Sequence, residues 1–252
     1  MQSSAQKANW KAGKAGLRAK PAALPILAVF VLIGIITFLY SPAFNVREIT
    51  VEGNLFFSDN EVIALAMVPR DRNMLLISAE AIASRIAMAP RVEKASVRKR
   101  YPSRMEITVA ERKTAAYLPY GGFFVDLDRE GLAIGVSEAV TDQNVPIITG
   151  MVPSFVLLGE KVRPEQQAAL ACLIGRMLAE RNVPDISEVN VKEASDIVII
   201  TNEGSRIMLG AADGIEGRLS LAVDMLAGAR SRKQAFKYID VRIAERPVLG
   251  TR

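Results

Sequence analysis

The sequence predicts an α+β protein in three parts: one N-terminal transmembrane helix, a module with the element order β-α-α-β-β, and a second α+β domain with an antiparallel sheet. Three observations carry this. A stretch free of charge from Pro21 to Val46 follows a tail whose only charges are basic. Apolar residues then recur with period two, with helical spacing in two runs, and with period two in two more. Further on, two helical stripes flank short β-branched runs joined by a turn signal.

The tail, residues 1–21, carries Lys7, Lys11, Lys14, Arg18 and Lys20 and no Asp or Glu. Residues 22–40 contain twelve Leu, Ile, Val or Phe side chains. As a helix this segment is about 28 Å long, close to the roughly 30 Å of a hydrocarbon core. Its apolar side chains favour insertion by about 4 to 7 kcal/mol in total. Pro25 falls in the first turn, where a missing donor costs little, and Tyr40 is placed at the far interface. The basic side of a span stays in the cytoplasm, so everything beyond Tyr40 is expected to be exported. A cleaved signal peptide is the competing reading, because Ser41-Pro42-Ala43 resembles a small-residue cleavage site. The apolar run exceeds the 7–15 residues of a signal h-region, and this favours an uncleaved anchor.

In the next segment, residues 44–113, Ile49 and Val51 alternate with Glu48, Thr50 and Glu52 before Gly53-Asn54, as in a half-buried strand closed by a turn. Ser58 and Glu61 form a capping box ahead of Val62, Leu65 and Ala66, with Pro69 ending the run. A second helix starts at Ser78, carries Ile82 and Ile86 one turn apart, and stops near Pro90. Ala95 and Val97 then alternate with polar neighbours, Tyr101-Pro102 supplies a turn, and Met105, Ile107 and Val109 alternate again.

Residues 114–248 read as the second domain. Leu170, Leu173, Ile174, Met177 and Leu178 follow helical spacing after Pro164, with Cys172 off the stripe. Ile215, Leu219, Ala222, Val223 and Leu226 repeat that spacing after Asp213, read as an N-cap. Between them, Val198-Ile199-Ile200 and Ile207-Met208-Leu209 form a hairpin through Asn202-Glu203-Gly204.

Composition narrows the chemistry. Of 252 residues, 32 are Lys or Arg and 27 Asp or Glu; without the five tail cations the balance is 27 to 27. The exported part therefore lacks the basic excess a nucleic-acid binder needs, and no nucleic-acid partner is expected. Histidine is absent, which removes the commonest general base and metal ligand. A single cysteine, Cys172, excludes thiolate-rich zinc sites and internal disulfides, and reads as a half-buried bystander. No nucleophile-elbow or Ser-x-x-Lys pattern stands out. The expectation is a protein that is not an enzyme and holds no cofactor or metal.

Asp126, Asp128 and Glu130 are close enough to suggest paired carboxylates or a calcium loop, but they lack an EF-hand's ligand set and fit a solvated turn. Arg98, Lys99, Arg100 and Arg104 form a basic run beside a tight turn, either a charged hairpin surface or a docking patch for an acidic partner. Arg230, Arg232 and Lys233 suit the negative end of a helix. The segment Tyr238 to Val248 reads as the last strand of the sheet, whose edge exposes unpaired N–H and C=O groups to an extended partner. Arg242 would grip an acidic partner residue, and Pro247 would limit pairing at the far end.

Phe44-Asn45-Val46 leading into Ile49-Thr50-Val51-Glu52-Gly53-Asn54, Asn73-Met74-Leu75, Pro90-Arg91-Val92, and Ile107-Thr108-Val109-Ala110-Glu111-Arg112 resemble a POTRA module. Behind a single anchor they resemble the FtsQ/DivIB family of bacterial division proteins. Phe124-Val125-Asp126, Val145-Pro146-Ile147-Ile148-Thr149-Gly150 and Tyr238-Ile239-Asp240-Val241-Arg242 extend the likeness through the second domain. Arg91 stands where the family commonly has an aromatic residue. The resemblance implies a divisome scaffold in the inner membrane, N-terminus cytoplasmic and both domains periplasmic. It would link early and late division proteins at the septum and help control septal peptidoglycan synthesis. The POTRA surface, Arg47 to Arg112, would serve recruitment. The closing strand and preceding helix, with Arg218, Tyr238, Ile239, Asp240, Val241, Arg242, Ile243 and Glu245, would receive small bitopic coiled-coil subunits (FtsB/FtsL-like), and septal wall synthases are further partners. A POTRA-type export or outer-membrane assembly factor, and an anchored periplasmic hydrolase, are the alternatives.

Overall fold

The structure, a computed structural model, describes residues 23–251. The basic tail expected at residues 1–21 and the first residue of the expected span lie outside them. Helix α1 (Ala23–Leu39) opens the described chain. It is 17 residues long, and among the described residues no helix is long and apolar enough to cross a membrane. The span expected over 22–40 is thus found only as this shorter helix. Tyr40 stands in the turn that follows, because Ser41-Pro42 opens a separate 3-10 turn and Pro42 has no amide to continue the ladder.

Among the described residues the strands form two sheets. The first holds β1 (Glu48–Glu52), β2 (Val92–Arg100) and β3 (Arg104–Glu111) in the order β1-β3-β2. β3 runs parallel to β1 and antiparallel to β2, with Ile49 opposite Met105 and Val97 opposite Ile107. Two helices, α2 (Asp59–Ala66) and α3 (Ala79–Ile86), cover one face. The expected capping box forms: the Glu61 N–H donates to Ser58 Oγ at 3.4 Å and the Ser58 N–H to Glu61 Oε2 at 2.8 Å. Ser78 caps α3. Val62, Ala66, Ile82 and Ile86 meet Met105, Ile107 and Val109 in a core of their own.

The second sheet contains β4 (Ala116–Tyr120), β5 (Phe123–Leu127), β6 (Ala133–Ser137), β7 (Ile147–Thr149), β8 (Ile186–Asn190), β9 (Ile197–Thr201), β10 (Arg206–Gly210), β11 (Phe236–Asp240) and β12 (Val248–Thr251). Their order is β12-β11-β10-β9-β8-β7-β4-β5-β6. An antiparallel sheet was expected; the observed sheet is mixed, with β10–β11, β7–β8 and β4–β7 parallel. For β7–β8 and β10–β11 the cause is a helical crossover. Helix α4 (Glu165–Glu180) carries the chain from β7 to β8, and α5 (Ile215–Ser231) carries it from β10 to β11, so each pair starts from the same end. The hairpin expected at residues 198–209 is present, with Val198 opposite Met208 and Gly204 at φ +78 in its turn.

Two local expectations change. The residue before α5 is Gly214, in a left-handed conformation, and no side chain caps the helix, so Asp213 does not act as its N-cap. On α4 the buried face is Ala168, Ala171, Cys172, Ile174, Gly175 and Leu178, while Leu170, Leu173 and Met177 are only partly buried. Small residues face the sheet because the helix comes very close: a Cβ on Gly175 would overlap the Ala115 carbonyl. Cys172, expected half-buried, is fully buried there.

Candidate functional site

The far end of the large sheet differs from the edge expected at Tyr238–Val248. β11 is an inner strand, parallel to β10 on one side and antiparallel to β12 on the other. Pro247 lies in the turn that returns the chain, tightened by the Arg246 N–H donating to the Ile243 carbonyl at 3.0 Å, and Val248–Thr251 becomes the outermost strand. The ring of Tyr238 lies across Gly250, opposite in register, where any Cβ would overlap it. At the opposite end β6 is partly covered, since Ala133 exchanges backbone hydrogen bonds with Gly159 and Glu160. Among the described residues β12 has no neighbour on its outer side.

The eight residues expected to bind a partner separate by role. Ile239 and Val241 are fully buried in the core beneath α5. Arg218 turns inward, its guanidinium donating to the carbonyls of Leu209, Ala211 and Asp213, and so closes the loop between β10 and α5. Asp240 and Arg242 hold each other: Arg242 Nη2 donates to Asp240 Oδ2 at 2.7 Å and Nε to Oδ1 at 3.0 Å. That bidentate bond keeps the Asp240 carboxyl below its ordinary range and raises the Arg242 guanidinium. Tyr238 is half-buried, and Ile243 and Glu245 project from the turn into solvent. The arrangement offers an unpaired strand edge with an exposed isoleucine and a charge pair beside it. It holds no acid–base pair.

The other expected clusters resolve in part into structural bonds. Asp128 accepts from Arg112 at 2.8 Å and from the N–H groups of Glu130 and Leu132, as an Asx turn requires. Asp126 receives Arg91 across the junction of the two modules. Among the described residues no group of three or more His, Cys, Asp or Glu could hold a metal ion. Arg100 pairs with Glu106 and Arg104 with Glu48. Arg230 reaches the Pro184 carbonyl and Asp185. Burial, with Asp128 nearby, pushes the Cys172 thiol up to about 12, so it is inert.

The junction is the feature the sequence concealed most. Arg91 and Asp126 retain 6% and 3% of their side-chain exposure. The Phe56 ring covers the Arg91 guanidinium at 3.8 Å, and the Glu111 carboxylate accepts from the N–H groups of Phe56 and Phe57. Arg129 to Glu93 adds an outer pair at 3.1 Å. A cleft of about 980 Å³ opens beside this junction, lined by Phe56, Arg112, Lys113, Asp142 and Arg176 among others. Asp126 and Asp128, read from the sequence with Glu130 as a solvated turn, are instead buried, Asp126 within an otherwise apolar strand.

Residues 44–112 match the family model described as "POTRA domain, FtsQ-type", and residues 116–242 match "Cell division protein FtsQ/DivIB, C-terminal". The chain is 30% identical over 207 residues to the cell division protein FtsQ of Anaeromyxobacter sp. (strain K), covering 78% of this chain and 69% of that protein. It is 21% identical over 227 residues to the cell division protein DivIB of Clostridium botulinum (strain Hall), 88% of each. The solved major extracytoplasmic domain of DivIB from Geobacillus stearothermophilus aligns at 14% identity with a TM-score of 0.30, covering 46% of this chain and 97% of that one.

Proposed function

We propose, since this chain belongs to the FtsQ/DivIB family of cell division proteins, that it is a membrane-anchored scaffold of the division machinery that works by protein–protein contacts. Its span is residues 22–40, with α1 as the body. No charge interrupts α1, and its large apolar side chains from Leu24 to Phe38 are more than two-fifths exposed, a surface that only a bilayer or another apolar helix would cover. The basic tail stays in the cytoplasm and both modules stand on the other side, in the periplasm at the septum. The POTRA module recruits the chain, and the second module links early division proteins to the late ones that make septal peptidoglycan.

The single observation that carries the partner site is the unneighboured outer edge of β12. An extended segment of a small bitopic coiled-coil subunit adds there as a further strand, its main chain bonding to β12 and its side chains meeting Ile243, Glu245 and the Asp240–Arg242 pair. The remaining expected residues, Arg218, Tyr238, Ile239 and Val241, shape this edge from behind. The test uses the full-length protein in detergent with a purified coiled-coil division subunit. Val248 and Leu249 are consecutive, so one of their amides faces outward. Wild type is expected to capture the subunit, and the proline variant at that outward position, Val248→Pro or Leu249→Pro, to lose capture with an unchanged melting temperature. Undiminished capture by the variant whose amide faces outward would overturn this site.

A further inference from the structure

Four separate pieces of chain meet at the end of the POTRA module where α1 leaves it. The Asn73 side chain donates to the Leu39 carbonyl at the end of α1, at 2.7 Å, and accepts from the Leu75 N–H at 2.9 Å. One amide group therefore spans the gap, and the 3-10 turn Met74–Leu76 begins within about 8 Å of the helix end. Asn45 bridges Asn73, and the Val46 N–H donates to the Arg72 carbonyl. The next two amides, of Arg47 and Glu48, both donate to Ser103, which brings the turn between β2 and β3 to the same end.

That end is unlike the rest of the module. Met74 is buried, but its neighbours Leu75 and Leu76 are 39% and 52% exposed, and Tyr101 at the tip of the β2–β3 turn is 56% exposed. Arg47, Arg70 and Arg72 lie in the same segments, exposed, with Glu48 and Asp71 next to them in the chain; Arg47 donates to the Pro42 carbonyl at 3.4 Å, and among the described residues none of the three arginines is in an ion pair. Exposed leucines and a tyrosine with arginines in the same segments, held near the end of an apolar helix, match the chemistry of the headgroup layer: apolar and phenolic groups at the acyl boundary, guanidinium groups on phosphate.

We propose that this face of the POTRA module docks on the bilayer surface, with Leu75, Leu76 and Tyr101 in the headgroup layer and Arg47, Arg70 and Arg72 on lipid phosphates. This rests on α1 being the span. Its consequence is orientation. The first module is held upright by two attachments, the helix and the docked face, and its far end at Phe56 and Arg91 presents the second module at a fixed height.

The test places an environment-sensitive dye on single cysteines in the full-length protein, reconstituted in nanodiscs of phosphatidylethanolamine and phosphatidylglycerol. Cys172 is buried with its thiol pushed up, so it stays unlabelled. Dyes at Leu76→Cys and Tyr101→Cys are expected to be shielded from aqueous iodide and quenched by headgroup spin-labelled lipid. A dye at Phe30→Cys should be quenched by lipid labelled near the acyl terminus, and one at Asp59→Cys, near the module's far end, by iodide alone. Iodide access at 76 and 101 with Phe30 shielded would overturn the docking while leaving the span intact. Access at all three would overturn the span, and the docking with it. Shielding at 76 and 101 without spin-lipid quenching would mean that protein covers this face, and would also overturn the proposal. With the dye at Tyr101→Cys, the pair Leu75→Glu and Leu76→Glu is expected to abolish headgroup quenching; unchanged quenching would remove the leucines as anchors and sink the docking as drawn.

Discussion

Replacing Asp126 with alanine would leave the Arg91 guanidinium buried at the module junction with, among the described residues, a Thr114 hydroxyl at 3.4 Å as its hydrogen-bond acceptor and the Phe56 ring over it. A charge that keeps 6% of its exposure cannot recover its hydration without opening the junction. Two unit charges about 4 Å apart at an effective dielectric near 20 interact by about 4 kcal/mol. Measured breaks of buried pairs fall at about 3–5 kcal/mol, a large share of the 5–15 kcal/mol that typically holds a domain together. The expected loss on Asp126→Ala is therefore about 3–5 kcal/mol. The double variant Arg91→Met with Asp126→Leu, which removes both charges and keeps the volume, is expected within about 1 kcal/mol of wild type. Equilibrium denaturant unfolding of the full-length protein followed by circular dichroism gives the free energies. Hydrogen exchange at residues 55–57 and 112–128 shows whether the loss is at the junction. An Asp126→Ala protein as stable as wild type, or a double variant less stable than Asp126→Ala, would refute this account of the junction.

Further perturbations separate other parts of the account. Gly135→Ala places a Cβ 2.7 Å from Arg91 Nη2, so it should destabilise the junction by about 1–3 kcal/mol in the same unfolding experiment. Gly250→Val drives a side chain into the Tyr238 ring; β12 is expected to detach, read as fast exchange of the amides at 236–240 with the rest of the sheet protected. Ser58→Ala removes the cap of α2 and should cost about 1 kcal/mol in the first module. Arg242→Gln tests linkage: Asp240 has its folded carboxyl lowered by Arg242, so the pair contributes above the unfolded carboxylate range and fades as pH falls through the folded value. The stability difference from wild type should be present at pH 7 and vanish in acid; a difference that grows in acid would contradict the pairing.

The first module was legible because its signals are local. Ser58 and Glu61 cap what they appear to cap, Ile82 and Ile86 point one way, and the alternation in β3 places Met105, Ile107 and Val109 in the core. In the second module the two helices and the 198–209 hairpin were legible in the same way, whereas β4, β6 and β8, and the arrangement of the sheet, were not. A stripe of large residues on α4 drew attention to Leu170 and Leu173, whereas close approach to the sheet selects Ala171, Cys172 and Gly175. Strand direction depends on which crossover the chain takes, which local periodicity does not encode, and so the mixed sheet was read as antiparallel. β12 is four residues beyond a proline, too short to show alternation, and its presence moved the edge outward from Tyr238–Val248. Arg91 and Asp126 lie 35 residues apart, and nothing in their flanks joins them. Of the partner residues, periodicity alone could have placed Ile239 and Val241 inside; the inward turn of Arg218 depends on the β10–α5 loop.

The scaffold reading is tested most directly by photo-crosslinking in dividing cells. A benzoylphenylalanine at Ile243, beside the outer edge of β12, should yield a covalent adduct with a small membrane-anchored division protein. The same group at Glu203, in the β9–β10 turn, should yield none. Adducts from Glu203 and not from Ile243, or no division protein captured from either position at working cell division, would contradict the role proposed for this edge.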